Sequence, residues 1–146
     1  MILPEYVSKT EVQRVCEELG IQDWTKLSAS SVLLEEAKII QAEMGGEAAV
    51  ISSEVFKQGL EVELEHGTQF PDANVTNNHP ILTGKIVLAH LKEMLDYYQR
   101  LQVAELEGDL FKAFQSGDKD KASRKYKQLL KARDELSSHE KSTIEE

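Results

Sequence analysis

Two stretches of the sequence place a carboxylate and an imidazole three residues apart. Glu63 and His66 do so within GLEVELEHG (residues 59–67), and His90 and Glu93 do so further along the chain. Residues i and i+3 are neighbours on one face of a helix, so each pair can direct both side chains to one place. Imidazole and carboxylate groups are ligands of zinc and iron. The sequence therefore predicts a divalent metal site, for iron or zinc, formed by Glu63, His66, His90 and Glu93.

The first pair lies in a segment where charged and apolar residues are interleaved. Its apolar residues are Val55, Phe56, Gly59, Leu60 and Val62. Wound as a helix at about 100° per residue, they form one arc whose centre falls near Glu63 and His66. Glu61 and Glu65 fall on the opposite side, where we expect a solvated face. Glu63 and His66 are therefore predicted to point into the core.

The second pair belongs to the next long helical pattern. His90 falls on its apolar face, among Ile86, Met94 and Tyr97, and Glu93 falls at the border of that face. We expect the two helices to pack with their acid–imidazole pairs facing each other. His79, in the preceding loop, could extend the cluster.

The order of the two pairs bears on the kind of metal site. An inward Glu-x-x-His on a helix is half of the ligand set of ferritin-like di-iron bundles. Here the second pair runs in the reverse order, and only Glu36 could supply a further carboxylate. A mononuclear site with two imidazoles and one carboxylate needs fewer ligands and leaves positions open for water.

A buried carboxylate also allows two interpretations without metal. An isolated ionised carboxylate in an apolar interior costs several kcal/mol unless it is paired, hydrogen-bonded or bound to a cation. Glu63 and His90 could form a structural ion pair that orders the core. Glu63 could also act as a base in proton transfer, although no nucleophile motif accompanies it, so enzymatic activity is left open.

The elements that must carry these residues are helical, and the sequence predicts an all-α fold with about four core helices. Ser8 and Glu11 begin a first helix that Gly20 ends. The other core helices are predicted at 32–44, 54–66 and 80–101, where apolar residues recur at helical spacing. Residues 68–80, rich in Pro, Asn and Asp, are predicted to form a loop without regular structure.

Beyond Leu101 the apolar stripe moves to the other side of the helix, which predicts a C-terminal αα-hairpin. Residues 115–122 form its connection. The predicted seam contains Val103, Leu106, Leu110 and Phe114 on one helix and Ala122, Tyr126, Leu129, Leu130, Arg133 and Leu136 on the other. We predict a core domain at 1–101 with an ordered loop at 68–80, a hairpin at 102–140, and a frayed polar tail at 141–146.

The hairpin is the basis of an alternative function. Its residues Val103, Leu110, Phe114, Tyr126 and Leu130 could bind another copy or a partner protein. The protein would then be a non-enzymatic interaction or oligomerisation module that works through residues 102–136. The Glu–His cluster would be a purely structural network.

Composition excludes several other classes of function. The net charge is −9, and residues 1–101 hold 8 Lys and Arg against 16 Asp and Glu, so we expect no nucleic-acid binding. No apolar run approaches the roughly 18 residues that span a bilayer, so we expect no membrane insertion. A single cysteine, Cys16, permits no intrachain disulfide and agrees with a cytoplasmic location.

Four segments in a fixed order carry a resemblance to a known family. GLEVELEHG, NVTNNHP, LTGKIVLAHLKE and DYYQRL, which lie within about residues 55–101, are similar to a family of small bacterial and phage proteins of unknown function. That family's loop reads Asn-Val-Thr-Asn-Asp-Asp-Pro, so Asn78 and His79 stand here in place of two aspartates. The resemblance implies a compact helical module, with no assigned activity, in which Glu63, His66, His90 and the loop form one site.

Overall fold

The helices of the computed structural model, which describes residues 4–145, confirm the all-α prediction. The described chain contains six α-helices, three short 3-10 turns and no β-strand. The α-helices are α1 (Lys9–Leu19), α2 (Leu34–Met44), α3 (Ser53–Gln69), α4 (Pro80–Glu93), α5 (Tyr97–Gln115) and α6 (Lys119–Glu145). The chain divides into two compact units, Met1–Glu93 and Met94–Glu146. None of the described helices has the combination of length and apolar character needed to cross a bilayer.

The first unit is built around α2, α3 and α4, which pack against one another. Its fully buried side chains include Trp24, Ile40, Phe56, Leu60, Leu64 and Val87. Helix α1 begins as predicted, because the Ser8 hydroxyl accepts a hydrogen bond from the Glu11 amide, and it ends at Gly20 with φ of 67°. The N-cap serine and the C-terminal glycine therefore determine where α1 begins and ends.

The boundaries around α4 differ from the prediction. A single helix was expected over 80–101, whereas α4 ends at Glu93 and α5 begins at Tyr97. Around Gln102, the shift of the apolar stripe allowed either a break or a continuous helix that leaves the core to meet a new partner, and α5 is continuous there, to Gln115. At the start of α5, Asp96 is buried and forms an ion pair with Arg100, one turn further on. Apolar residues keep helical spacing across this break, so the sequence pattern did not predict it.

Two glutamates stabilise the first unit through hydrogen bonds that the apolar pattern of the sequence did not predict. Glu61 was predicted on a solvated face, yet its carboxylate accepts a hydrogen bond from the Val32 amide at 3.0 Å and pairs with Lys57. Glu36 is buried and accepts from the Gln22 and Leu33 amides. Both carboxylates therefore satisfy backbone N–H groups that precede or begin α2.

The second unit is the predicted αα-hairpin, but its seam uses smaller residues than expected. The two helices meet through Leu106, Ala113, Ala122, Leu129 and Ala132, which are buried, with Val103 and Leu110 partly buried beside them. On α5, spacings of three and four residues between Val103, Leu106, Leu110 and Ala113 form a coiled-coil seam. Four residues predicted in the seam are exposed instead: Phe114, Tyr126, Leu130 and Arg133. Small alanines on the facing helices allow close packing, so the larger side chains lie outside the contact.

Ion pairs connect α5 and α6 along the whole hairpin. Asp109 pairs with Lys125 near the turn, Glu107 pairs with Arg133 in the middle, and Arg100 pairs with Glu140 at the far end, at 2.6–2.7 Å. The predicted frayed tail at 141–146 is helical through Glu145, and Glu146 lies outside the described residues. The Arg100–Glu140 ion pair joins α6 to α5 at the residue before this polar stretch.

Gly84 is the point of closest approach between α4 and its neighbours. A methyl group there would lie 2.6 Å from the Met44 sulfur, 3.1 Å from Ile40 Cγ2 and 3.3 Å from Phe56 Cζ. The absence of a side chain at this position therefore sets the distance at which α4 packs on α2 and α3. Gly108, on the exposed side of α5, has open space around the same position.

We predict that Gly84→Ala lowers the free energy of unfolding of the first unit by about 1–3 kcal/mol, because the core must shift to admit the methyl group. Gly108→Ala should instead stabilise the hairpin by about 0.5–1 kcal/mol, since alanine favours a helix over glycine and meets nothing. Urea unfolding of the first unit can be followed by the fluorescence of Trp24, the single tryptophan, and that of the hairpin by circular dichroism. Equal effects of the two substitutions would contradict this account.

Candidate site at the Glu63 carboxylate

Glu63 lies between two imidazoles on the inner side of α3. Its side chain is only 9% exposed. Its Oε2 atom is 3.6 Å from His66 Nδ1, on the same helix, and its Oε1 atom is 3.5 Å from His90 Nε2, on α4. Helices α3 and α4 therefore bring three of the four predicted ligands together around one carboxylate.

Two predicted positions within this cluster are wrong. His66 was expected to point into the core, but its side chain is 71% exposed. Glu93 is exposed at the last residue of α4 and has no recorded contact with Glu63 or either histidine. The arc calculation placed Glu93 at the border of its apolar face, where a small rotation of the helix decides between core and solvent. It placed His66 near the centre of the arc, but the buried residues Phe56, Leu60 and Leu64 centre the apolar face of α3 on the far side of Glu63 from His66.

Two further residues considered for the site have structural roles. The Glu36 carboxylate is occupied by hydrogen bonds from Gln22 and Leu33. His79 is the residue before α4, and its Nδ1 atom accepts hydrogen bonds from the Ile81 and Leu82 amides at 3.2 and 3.4 Å. His79 is therefore an N-cap, with Pro80 at the first helical position where its missing N–H costs nothing.

A small cavity of about 80 Å³ opens beside Glu63, between α3, the following loop and α4. Its polar lining comprises Glu63, His66, Asn74, Thr76, Asn78 and Thr83. The resemblance implied that this loop shares a site with Glu63, but it did not indicate which asparagine and threonine groups line the cavity. Asn77 and Asn78 both have positive φ, of 48° and 62°, a conformation that asparagine tolerates better than most residues.

Gly67 allows this loop to close over α3. A methyl group at Gly67 would lie 2.0 Å from Asn78 Oδ1 and 2.5 Å from Asn74 Nδ2. Those two side chains are hydrogen-bonded to each other at 3.0 Å, and Asn78 Nδ2 donates to the Trp24 carbonyl. The sequence suggested that Gly67 ends the helix, whereas α3 continues to Gln69 and the glycine makes room for the asparagine pair.

The distances around Glu63 can be compared with those of a metal site. With metal–ligand bonds of about 2.0–2.2 Å, two ligands of a tetrahedral ion lie roughly 3.3–3.5 Å apart. The two imidazole–carboxylate separations are close to this value and are longer than a charge-assisted hydrogen bond of about 2.7–2.9 Å. As the side chains stand, no three His, Cys, Asp or Glu residues within 4–145 form a group that could hold a metal ion. Binding would therefore require movement of a side chain, and His66 is exposed enough to move.

Comparison with protein families adds one result. Residues 12–107 match the family described as Protein of unknown function (DUF5661). The chain belongs to this family. No significant match is found among curated proteins or among solved structures.

The family match is wider than the block at residues 55–101 that suggested a resemblance. It includes α1 to α4 and about half of α5, and it stops before α6. The Glu63 cluster and the asparagine loop thus lie inside the family region, while the second helix of the hairpin lies outside it. The bacterial or phage origin of such proteins stays a prediction.

We predict that His79→Ala lowers the free energy of unfolding at pH 8 by about 0.5–2 kcal/mol, because two amides of α4 lose their acceptor. His79→Asn should retain most of that stability, since asparagine is a favoured N-cap. Urea unfolding followed by Trp24 fluorescence gives both values. A loss in His79→Asn as large as in His79→Ala would show that capping is not the role of this residue.

The His79 cap also predicts a pH dependence. Burial lowers the pKa of His79; Glu11 opposes this shift, and Arg14 adds to it. The unfolded chain, with a histidine pKa of about 6.5, therefore takes up the proton first as pH falls. The contribution of His79 should be complete above about pH 6.5 and should be lost as pH falls below it. Relative to His79→Asn, the native protein should lose stability as pH falls below about 6.5, and parallel stability curves would contradict the prediction.

Proposed function

We propose that this protein binds a divalent transition metal, zinc or ferrous iron, at an open site centred on Glu63. Glu63 and His90 would supply the fixed ligands, and His66 would join them by rotating its exposed side chain. The observation that supports this proposal is the position of Glu63, with an imidazole nitrogen 3.5–3.6 Å from each carboxylate oxygen. Glu93, which does not reach the cluster, is left out of the ligand set.

Electrostatics gives a reason for a cation at this position. The Glu63 side chain has little access to water, and nearby positive charge stabilises a carboxylate in such a position. A divalent ion would supply positive charge, and imidazole and carboxylate are ligands that zinc and iron accept. Water molecules in the adjacent cavity would complete the coordination, with Asn74, Asn78 and Thr83 as hydrogen-bonding partners.

The size of the cavity favours metal binding over turnover of an organic substrate. Sites for small organic ligands have volumes of about 300–1,000 Å³, and this cavity, at about 80 Å³, is far smaller. It has room for water at the ion and little else. We therefore propose ion binding as the function of the site.

The rival interpretation is a metal-free network in which protonated histidines compensate Glu63. The cluster would then contribute only to folding, and the protein's binding function would lie in the hairpin. The two interpretations differ in one measurable property, because only the first requires tight and stoichiometric uptake of metal.

The test is calorimetric titration of chelator-treated protein with Zn²⁺, and with Fe²⁺ under anaerobic conditions. We expect one site per chain with a Kd below about 10 µM. Glu63→Gln and His90→Ala should each weaken binding by at least about tenfold, since even second-shell changes typically cost 10–100-fold. His66→Ala should have a smaller effect, because that side chain must move to reach the ion.

Two matched variants control for adventitious binding. Glu93→Gln makes the same chemical change on an exposed carboxylate of α4, and His139→Ala removes an exposed imidazole from α6. Both should bind metal as the native chain does, and bound metal should raise the melting temperature of the native chain. A Kd weaker than about 100 µM, or unchanged binding in Glu63→Gln, would reject the metal site and leave the structural network.

A further inference from the structure

The residues before α1 are hydrogen-bonded to the loop that lines the cavity beside Glu63. Asn77 Nδ2 donates to Glu5 Oε1 at 2.7 Å and to the Val7 carbonyl at 2.6 Å, and these partners are 72 and 70 positions away in the sequence. We call residues 5–7 the strap and residues 74–78 the asparagine loop. We infer that the strap holds the asparagine loop closed and thereby controls how fast a metal ion enters and leaves the site at Glu63. This inference rests on the proposed function.

The strap is anchored to the first unit independently of the asparagine loop. Its last residue, Val7, precedes Ser8, which is the N-cap of α1. The Ser8 carbonyl and hydroxyl accept hydrogen bonds from the Val12 and Glu11 amides, and Val12 is fully buried. The Val7 carbonyl is therefore fixed at the start of a packed helix. Its hydrogen bond with Asn77 ties the asparagine loop to that helix.

Two adjacent residues hold the asparagine loop on different sides. Asn78 is 7% exposed and donates to the Trp24 carbonyl at 3.3 Å, inside the unit. Asn77 donates to the strap at 2.6 and 2.7 Å, nearer the surface. Because the two asparagines follow one another in the chain, the loop can swing outward only after the bonds to the strap are broken. The strap contacts are therefore the first that opening must disrupt.

Opening of the asparagine loop affects metal exchange because the loop forms a wall of the cavity. Asn74, Thr76 and Asn78 line it beside Glu63, whose side chain is 9% exposed. A water molecule takes about 30 Å³ in the liquid, so a cavity of about 80 Å³ admits about two or three. A hydrated divalent ion carries about six water molecules and does not fit while the loop is closed. An opened loop admits the ion with more of its water, so opening speeds both entry and release.

The first test measures loop opening by hydrogen exchange of the His79 amide, which donates to the Thr76 carbonyl at 3.0 Å. Asn77→Gly should speed this exchange by at least about tenfold, because glycine keeps the positive φ and removes the side chain that bonds to the strap. Glu5→Ala should speed it by at least about threefold, since one acceptor is lost. Glu5→Gln should exchange as the native chain does, because the glutamine oxygen still accepts from Asn77.

The second test measures zinc release from zinc-loaded protein mixed with an excess of chelator. Asn77→Gly should speed release at least about fivefold, and it should speed uptake as well, so that Kd changes less than either rate. Ile40→Val is the matched control, because it lowers stability at a fully buried residue of α2 and leaves the strap and the cavity lining unchanged. Its rates of His79 amide exchange and zinc release should be those of the native chain.

Three results would overturn the inference. The first is an unchanged exchange rate of the His79 amide in Asn77→Gly, which would show that the strap does not hold the loop. The second is a native rate of zinc release from a variant whose loop exchanges faster. The third is an equal acceleration in Ile40→Val, which would attribute the effect to loss of stability. A native chain that takes up no zinc rejects the proposed function and this inference with it, and that result is distinct because there is then no release to measure.

Discussion

The first unit depends on the placement of one buried amide, the side chain of Asn78. It accepts a hydrogen bond from Asn74 within the loop, donates one to the Trp24 carbonyl, and lies against α3 where Gly67 leaves space. Loss of these partners would leave the buried amide unsatisfied and lower the free energy of unfolding by on the order of 1–3 kcal/mol. The Asn78 side chain therefore links the loop, the Trp24 segment and α3. The cavity beside Glu63 exists because this loop is fixed at that distance from α3.

The second constraint in the first unit is the burial of the Glu63 carboxylate beside this loop. This carboxylate has little access to water, so groups that carry positive charge are favoured beside it. With protonated imidazoles the cluster only holds α3 and α4 together; with a metal ion the same three groups become a binding site. The separations of 3.5–3.6 Å are longer than direct charge-assisted hydrogen bonds.

Sequence periodicity predicted the fold class, the first helix and its cap, the hairpin, and the proximity of Glu63, His66 and His90. Its predictions were wrong where side-chain size or loop geometry determined the positions of residues. The break before Tyr97 leaves the apolar pattern intact, and the seam of the hairpin uses alanines where larger residues were expected. Glu93 lies at the border of its apolar face, and the buried residues of α3 centre its apolar face away from His66. The loop asparagines contact partners far away in the sequence, such as Trp24, that no local pattern indicates.

The three ion pairs between α5 and α6 restrict how the length of the hairpin can change. They join the helices near the turn, in the middle and at the far end, through Lys125, Arg133 and Glu140 of α6. One extra residue between any two of these positions would turn the rest of α6 by about 100° and move the charges beyond it away from their partners. Insertions and deletions in this helix should therefore survive only as multiples of seven residues, as in other coiled coils. Single-residue changes in length should be confined to the connection at 116–118 or to the end of α6 beyond Glu140.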